Sequence, residues 1–117
     1  MSTENGTPVD LHKPGMKDDR AKPRLGLVFE GFSMALTEVG KVGTFGAAKY
    51  TDNGWTSVPN AKARYTDAMY RHLMQEAQGE MWDKESKILH DAHVAWNALA
   101  RLELELRELR AKYDEGF

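Results

Sequence analysis

Apolar residues along this chain recur at helical spacing in three stretches, and between them the pattern breaks at glycine- and asparagine-rich turns. Phe29, Phe32, Leu36, Val39 and Val42 follow the three-and-four spacing of an amphipathic helix. They predict a first helix from Leu25 to about Tyr50. Gly40, Gly43 and Gly46 recur along it, weakening the helix but permitting close approach of a neighbour or ligand. Thr51-Asp52-Asn53-Gly54 is a turn signal, so the segment to Pro59-Asn60 reads as a loop that carries Trp55. A second helix is predicted from Ala61 to about Gln78, with Tyr65, Ala68, Met69, His72, Leu73 and Glu76 on one face and Gly79 as its stop. After a short connection from Glu80 to Glu85, a third helix is expected to start near Ser86 and run almost to the C-terminus. Leu89, Ala92, Trp96, Leu99, Leu102, Leu106 and Leu109 form its apolar stripe.

No segment reads as a strand. The expectation is an all-α fold: a small bundle of about three main helices with a long C-terminal helix. Residues 1–23 hold Gly6, Pro8, Pro14, Gly15 and Pro23 among charges, with little to pack, and predict a mobile tail. Residues 24–117 are then a single helical domain. The last helix pairs Arg101 with Glu105, Glu103 with Arg107 and Glu108 with Lys112 at the favourable spacing. It is equally compatible with lying along a partner subunit or along its own domain.

Composition narrows the function. The chain has 117 residues, 16 basic and 18 acidic, for a net charge of −2. That leaves no basic footprint for nucleic acid, whose binding rests on neutralising phosphates. Without cysteine, disulfides and thiolate metal sites are excluded. No apolar run approaches the ~20 residues that span a bilayer, and the start lacks the basic and apolar regions of a signal peptide. A soluble, cytoplasmic protein is expected, and so small a chain often gains stability as a homodimer or homotetramer.

Candidate chemistry concentrates between Arg71 and Asn97, where three of the four histidines fall. A helix turns about 100° per residue, so Ser86, His90, His93 and Asn97 would share one narrow stripe. Such a stripe is either a site or a structural polar network in the core. Glu80 and Asp83 form an E-x-x-D pair between His72 and His90, offering the hard oxygen ligands that magnesium or manganese requires. Glu38 is the carboxylate best placed to join them from the first helix. Glu30 and Glu76 are competitors, Glu30 also serving the helix dipole. Lys49 suits a phosphate contact, and Tyr50 and Trp55 could stack on a base.

The order Lys22-Pro23-Arg24-Leu25, then Thr44-Phe45-Gly46-Ala47-Ala48-Lys49-Tyr50 with Asn53 and Trp55, resembles a phage-encoded family. So does the run Arg64-Tyr65-Thr66-Asp67-Ala68 leading to Arg71-His72, Gly79-Glu80, Asp83, Glu85-Ser86, His90, His93 and Asn97. That family is the dATP/dGTP diphosphohydrolases, related to the all-alpha MazG-like nucleotide pyrophosphohydrolases, and the likeness covers residues 22–106. It implies hydrolysis of a purine deoxynucleoside triphosphate to the monophosphate and pyrophosphate, with magnesium or manganese as cofactor. The wider superfamily carries E-x-x-E on one helix. Here Lys41 stands where the second acid would follow Glu38, and His90-x-x-His93 stands where acids are often found.

The mechanism expected from these residues has Glu38, Glu80, Asp83, His90 and His93 as the metal set. Glu38, Glu80 and His72 carry the chemistry, with His72 as either ligand or base. Lys49 and Arg71 offset phosphate charge, Tyr50 or Trp55 packs on the base, and Asn97 orients a ligand or reads the nucleotide. Two alternatives stand beside it. One is a non-enzymatic helical oligomer or interaction module. The other is an HD-type phosphohydrolase, from the His90-Asp91 dipeptide, although Asp91 turns about 100° away from His90 on a helix.

Overall fold

The computed structural model describes residues 10–113. It divides into two units, one up to Phe32 and one from Ser33 onward. In the first unit, residues 10–23 run through turns, with Arg20 clamped on both oxygens of Asp18 at 2.8 Å. The tail expected over residues 1–23 lies, for residues 1–9, outside the described residues. Helix α1 (Gly26–Gly31) follows, with Leu27, Val28 and Phe29 exposed.

The second unit holds α2 (Ser33–Lys49), a 3-10 turn (Gly54–Ser57), α3 (Ala61–Ala77) and α4 (His90–Tyr113). The continuous first helix expected from Leu25 to Tyr50 is therefore broken. Phe32 leaves the helical region at φ −121°, ψ 31°. Its neighbours Gly31 and Ser33 are both weak helix-interior residues, so the break costs little there.

Helix α3 lies along α4, and α2 also packs against α4. Val42 of α2, Ile88 and Ala92 form the apolar centre, with Phe45, Leu89 and Trp96 packed on it. The expected apolar stripe of the last helix is only partly used. Ala92 and Ala100 are buried, whereas Leu99, Leu102, Leu106 and Leu109 stay exposed.

Gly79 ends α3 as expected, at φ +99°. Its N–H bonds to Glu76 O at 2.9 Å, and that of Glu80 bonds to Gln75 O at 3.0 Å. This double closure of a helix end needs a residue tolerant of left-handed backbone, which is why glycine sits there.

The connection after it is longer than expected. Helix α4 starts at His90, not near Ser86. Residues 80–89 fold back on themselves, with Asp83 N–H on Ile88 O at 2.8 Å and His90 N–H on Met81 O at 2.9 Å. Trp82 and Leu89 form an isolated antiparallel bridge, and among the described residues there is no strand. The cause is local competition. Asp83 accepts from Ser86 N–H and Ser86 Oγ, both at 2.8 Å, and Lys87 adopts a left-handed φ of 64°. Those bonds give the backbone an alternative to the helix. Among the described residues, no helix is long and apolar enough to cross a membrane.

Candidate functional site

The residues singled out between Arg71 and Asn97 converge where α3, the 80–89 loop and the start of α4 meet. His72 comes from α3, Glu80, Asp83 and Ser86 from the loop, and His90, His93 and Asn97 from α4. His90 is fully buried. Its Nε2 lies 3.1 Å from Glu80 Oε1 and its Nδ1 lies 2.8 Å from His72 Nδ1. With Nε2–H donating to the carboxylate, His90 Nδ1 accepts from His72 Nδ1–H. The His72 ring stacks flat on His93, at a centroid distance of 4.3 Å and an interplanar angle of 8°. His93 Nε2 meets Ser86 Oγ at 2.7 Å, and Ser86 links it onward to Asp83. No fully buried side-chain nitrogen or oxygen of this cluster lacks a hydrogen-bond partner, as burial demands.

Electrostatics keep the His72 and His93 imidazoles neutral. Burial, helped by the neighbouring His93, lowers His72 from 6.5 to about 4. Burial also lowers His93, against the pull of Asp83. For Asp83 burial acts upward, but the two Ser86 hydrogen bonds and the nearby histidines win and hold its carboxyl below the ordinary value. At neutral pH the cluster thus offers imidazole lone pairs beside a carboxylate.

One ligand atom each from His72, Asp83 and His90 falls within 4.8 Å of the others. That spacing and donor chemistry fit a divalent cation. The expected ligand set differs at several points. Glu38 is on α2 and pairs with Lys41, and it is not among the residues that line the cleft below. His93 is engaged by Ser86 rather than grouped with the three, and Glu80 reaches the cluster through His90. The HD dipeptide does not act as a unit either, since Asp91 shares a hydrogen bond with Glu76, raising the Glu76 carboxyl above its ordinary value.

A half-open cleft of about 970 Å³ opens beside the cluster, with His72 and His93 in its wall. One side is the glycine-rich edge of α2. Gly40 and Gly46 meet nothing within 4 Å where a Cβ would stand, and Gly43 faces Trp96 Nε1 at 3.7 Å. Lys49, Arg64 and Arg71 bring positive charge to the rim, and Asn97 borders the interior. Lys49 bonds Glu85 at 2.7 Å, which raises its pKa, and lies near the rings of Phe45 and Tyr50. Asn97 Nδ2 donates to His93 O at 2.8 Å, closing one helical turn. Tyr50 is exposed. Trp55 packs edge-on with Tyr65 and Trp96, and Tyr65 Oη donates to Trp55 O at 2.7 Å.

Arg64 had no assigned role from the sequence, Tyr65 and Trp96 were placed only on helix faces, and Ser86 only on the stripe with His90, His93 and Asn97. A signal for Arg64 existed: Arg64, Ala68 and Arg71 are spaced four and three apart on a helix, which puts the two arginines on one face.

A family model described as dATP/dGTP diphosphohydrolase, N-terminal, matches residues 12–114. No curated protein and no solved structure matches the chain.

Proposed function

The chain belongs to the dATP/dGTP diphosphohydrolase, N-terminal, family, and on that premise we propose that it hydrolyses dGTP or dATP to the monophosphate and pyrophosphate. The supporting observation is that a cleft rimmed by Lys49, Arg64 and Arg71 meets the His72–Asp83–His90 cluster at His72. A triphosphate needs cations along its oxygens, a flat surface for its base and an electrophilic end where the bond breaks. The cleft has residues suited to all of these.

In this reading the rim cations hold the β- and γ-phosphates and offset the charge of the departing pyrophosphate. Trp55 or Tyr50 packs against the purine, and Asn97 holds the His93 turn that borders it. A water oxygen bonds to the α-phosphorus, the bridge to the β-phosphate breaks, and the water's proton leaves through the open side of the cleft. A divalent ion, magnesium or manganese, supplies charge neutralisation and Lewis acidity when bound. Glu80 fixes the orientation of His90 by accepting its Nε2–H. The activity belongs to phage nucleotide metabolism, in the cytoplasm of the infected cell. The exposed leucines of α4 support assembly as a homodimer or homotetramer.

The test is product identification after incubation with each deoxynucleoside triphosphate and metal. Pyrophosphate with dGMP or dAMP, abolished by chelator and by Glu80→Gln while helical signal persists, is the expected result. Release of inorganic triphosphate would point to HD-type chemistry. No turnover of any nucleotide by folded, metal-loaded protein would favour a binding module whose histidines form only a polar network.

A further inference from the structure

We propose that His72, Asp83 and His90 form a resident site for a borderline first-row transition ion, of the zinc–manganese class, and that magnesium reaches this protein only on the nucleotide. The purpose of the ion rests on the hydrolase reading, whereas the site itself rests on geometry.

Donor chemistry is the first argument. Magnesium takes near-octahedral oxygen shells and keeps several waters. Two imidazoles with one carboxylate are the donors of zinc, manganese, iron and cobalt sites. The three ligand atoms already lie within 4.8 Å of one another. His72 and His90 face each other Nδ1 to Nδ1 at 2.8 Å, and on binding an ion the His72 proton would move to its Nε2, leaving both Nδ1 lone pairs free.

The second argument is what holds the ligands. A metal-bound histidine usually donates its other N–H to a carboxylate, which fixes ring and tautomer. His90 does this with Glu80 at 3.1 Å, from a fully buried position that free rotation cannot disturb. Asp83 is fixed by Ser86 N–H and Oγ. His72 is fixed by its flat stack on His93. Each ligand comes from a different element, and each has its own support.

Three protein donors also leave positions open, the pattern of a working centre rather than a purely structural one. His72 lines the cleft, so the open side faces the space a phosphate would fill. Glu80 is then a positioning residue that acts through His90. Glu38 takes no part.

Equilibrium dialysis and calorimetry on chelator-treated full-length chain, with zinc, manganese, cobalt and magnesium chloride in turn, test this directly. One transition ion per chain is expected, with cobalt giving the visible absorption of an imidazole-bound ion and magnesium binding weaker by at least an order of magnitude. His72→Gln and Asp83→Asn should each abolish stoichiometric binding. Glu80→Gln should weaken it by about 10–100-fold, as loss of an outer carboxylate does. Glu38→Gln should leave it unchanged. His72 and Glu80 are partly exposed, so these variants keep the helical signal that certifies the fold.

Magnesium binding as tightly as zinc, no stoichiometric binding by folded protein, or full binding by His72→Gln would overturn the assignment. Nucleotide turnover with magnesium alone and no resident ion would sink this site but leave the hydrolase reading intact. Tight zinc binding with no turnover of any nucleotide would do the reverse.

Discussion

Lowering the pH should destabilise the metal-free protein through His72 well before its carboxylates protonate. In the folded chain His72 is held at about 4, against 6.5 for an unhindered imidazole. The unfolded chain therefore takes up a proton near neutrality that the folded chain refuses. Stability is complete above about pH 6.5, falls as the pH drops, and levels off below about pH 4. At about 1.4 kcal/mol per tenfold change in proton affinity, that interval sets a ceiling near 3 kcal/mol. Water still reaches part of the ring, so a loss of about 1–2 kcal/mol is the working figure. His93, also lowered, acts in the same direction. Asp83 is lowered too, but a carboxylate held below 3.8 loses its contribution only at the acid end. Glu76 has the opposite sign, because its raised carboxyl favours the folded state as it protonates. Urea unfolding followed by helical circular dichroism, in chelator, at steps from about pH 7.5 to about pH 4.5, measures the slope. His72→Phe keeps a flat ring on His93 and removes the titrating group, so its profile should be shallower, whatever its absolute stability. A flat wild-type profile, or an unchanged slope in His72→Phe, would refute the account.

Two further outcomes follow from the same geometry. Arg71→Ala should lower kcat/KM for dGTP by about 10–100-fold, the cost of one charge-stabilising donor at an exposed rim, with thermal stability little changed. Steady-state kinetics beside a melting curve checks it. Leu102→Glu should shift the protein to monomer in sedimentation velocity, because Leu99, Leu102, Leu106 and Leu109 form an exposed seam at alternating three- and four-residue spacing. A wild-type chain that is already monomeric at high concentration would remove that expectation.

What the sequence made legible depended on whether the deciding interaction was local. The limits of α3 could be read because both signals lie in the chain itself: a turn before Ala61 and a glycine after Gln78. The start of α4 could not, since His90 and Ser86 both fit the helical stripe. Only the bonds from Ser86 to Asp83, with left-handed Lys87, decide that Ser86 stays in a loop. Ser86 and His93 still meet, but through a side-chain bond between loop and helix rather than as neighbours on one helix face. The leucine stripe shows the complementary failure. Periodicity identifies an apolar face without saying what covers it, and here the distal face of α4 is exposed.

The site shows the same division. Residue types between Arg71 and Asn97 marked the window that the fold draws together, since so many costly polar groups rarely cluster without reason. Which of them face one another is a tertiary fact. Glu38 was placed from the face it borders, and in the fold its carboxylate pairs with Lys41. Arg64 was recoverable from its spacing to Arg71. Trp96 was read as core alone, although a side chain this large can pack on Val42 and line the cleft at once.

The buried positions explain why fold and site stand or fall together here. Only Val42, Ile88, Ala92 and Ala100 are buried apolar residues among those described, beside buried His90, His93 and Asn97. Small apolar side chains give a limited hydrophobic contribution, and each buried polar group left unpaired costs about 1–3 kcal/mol. The 80–89 loop is tied to α4 through Glu80–His90 and through Asp83–Ser86–His93, so the cluster is also the fastening of the loop. Substitutions at Asp83 or His90 therefore act on stability as well as chemistry, and loss of activity there identifies a role only when the melting curve is intact. The coupling also runs the other way. An ion bound by the folded chain alone raises its stability by mass action, about 2.7 kcal/mol at a hundredfold excess over Kd. A thermal shift on adding zinc, absent in His72→Gln, would report the same three residues without any nucleotide present.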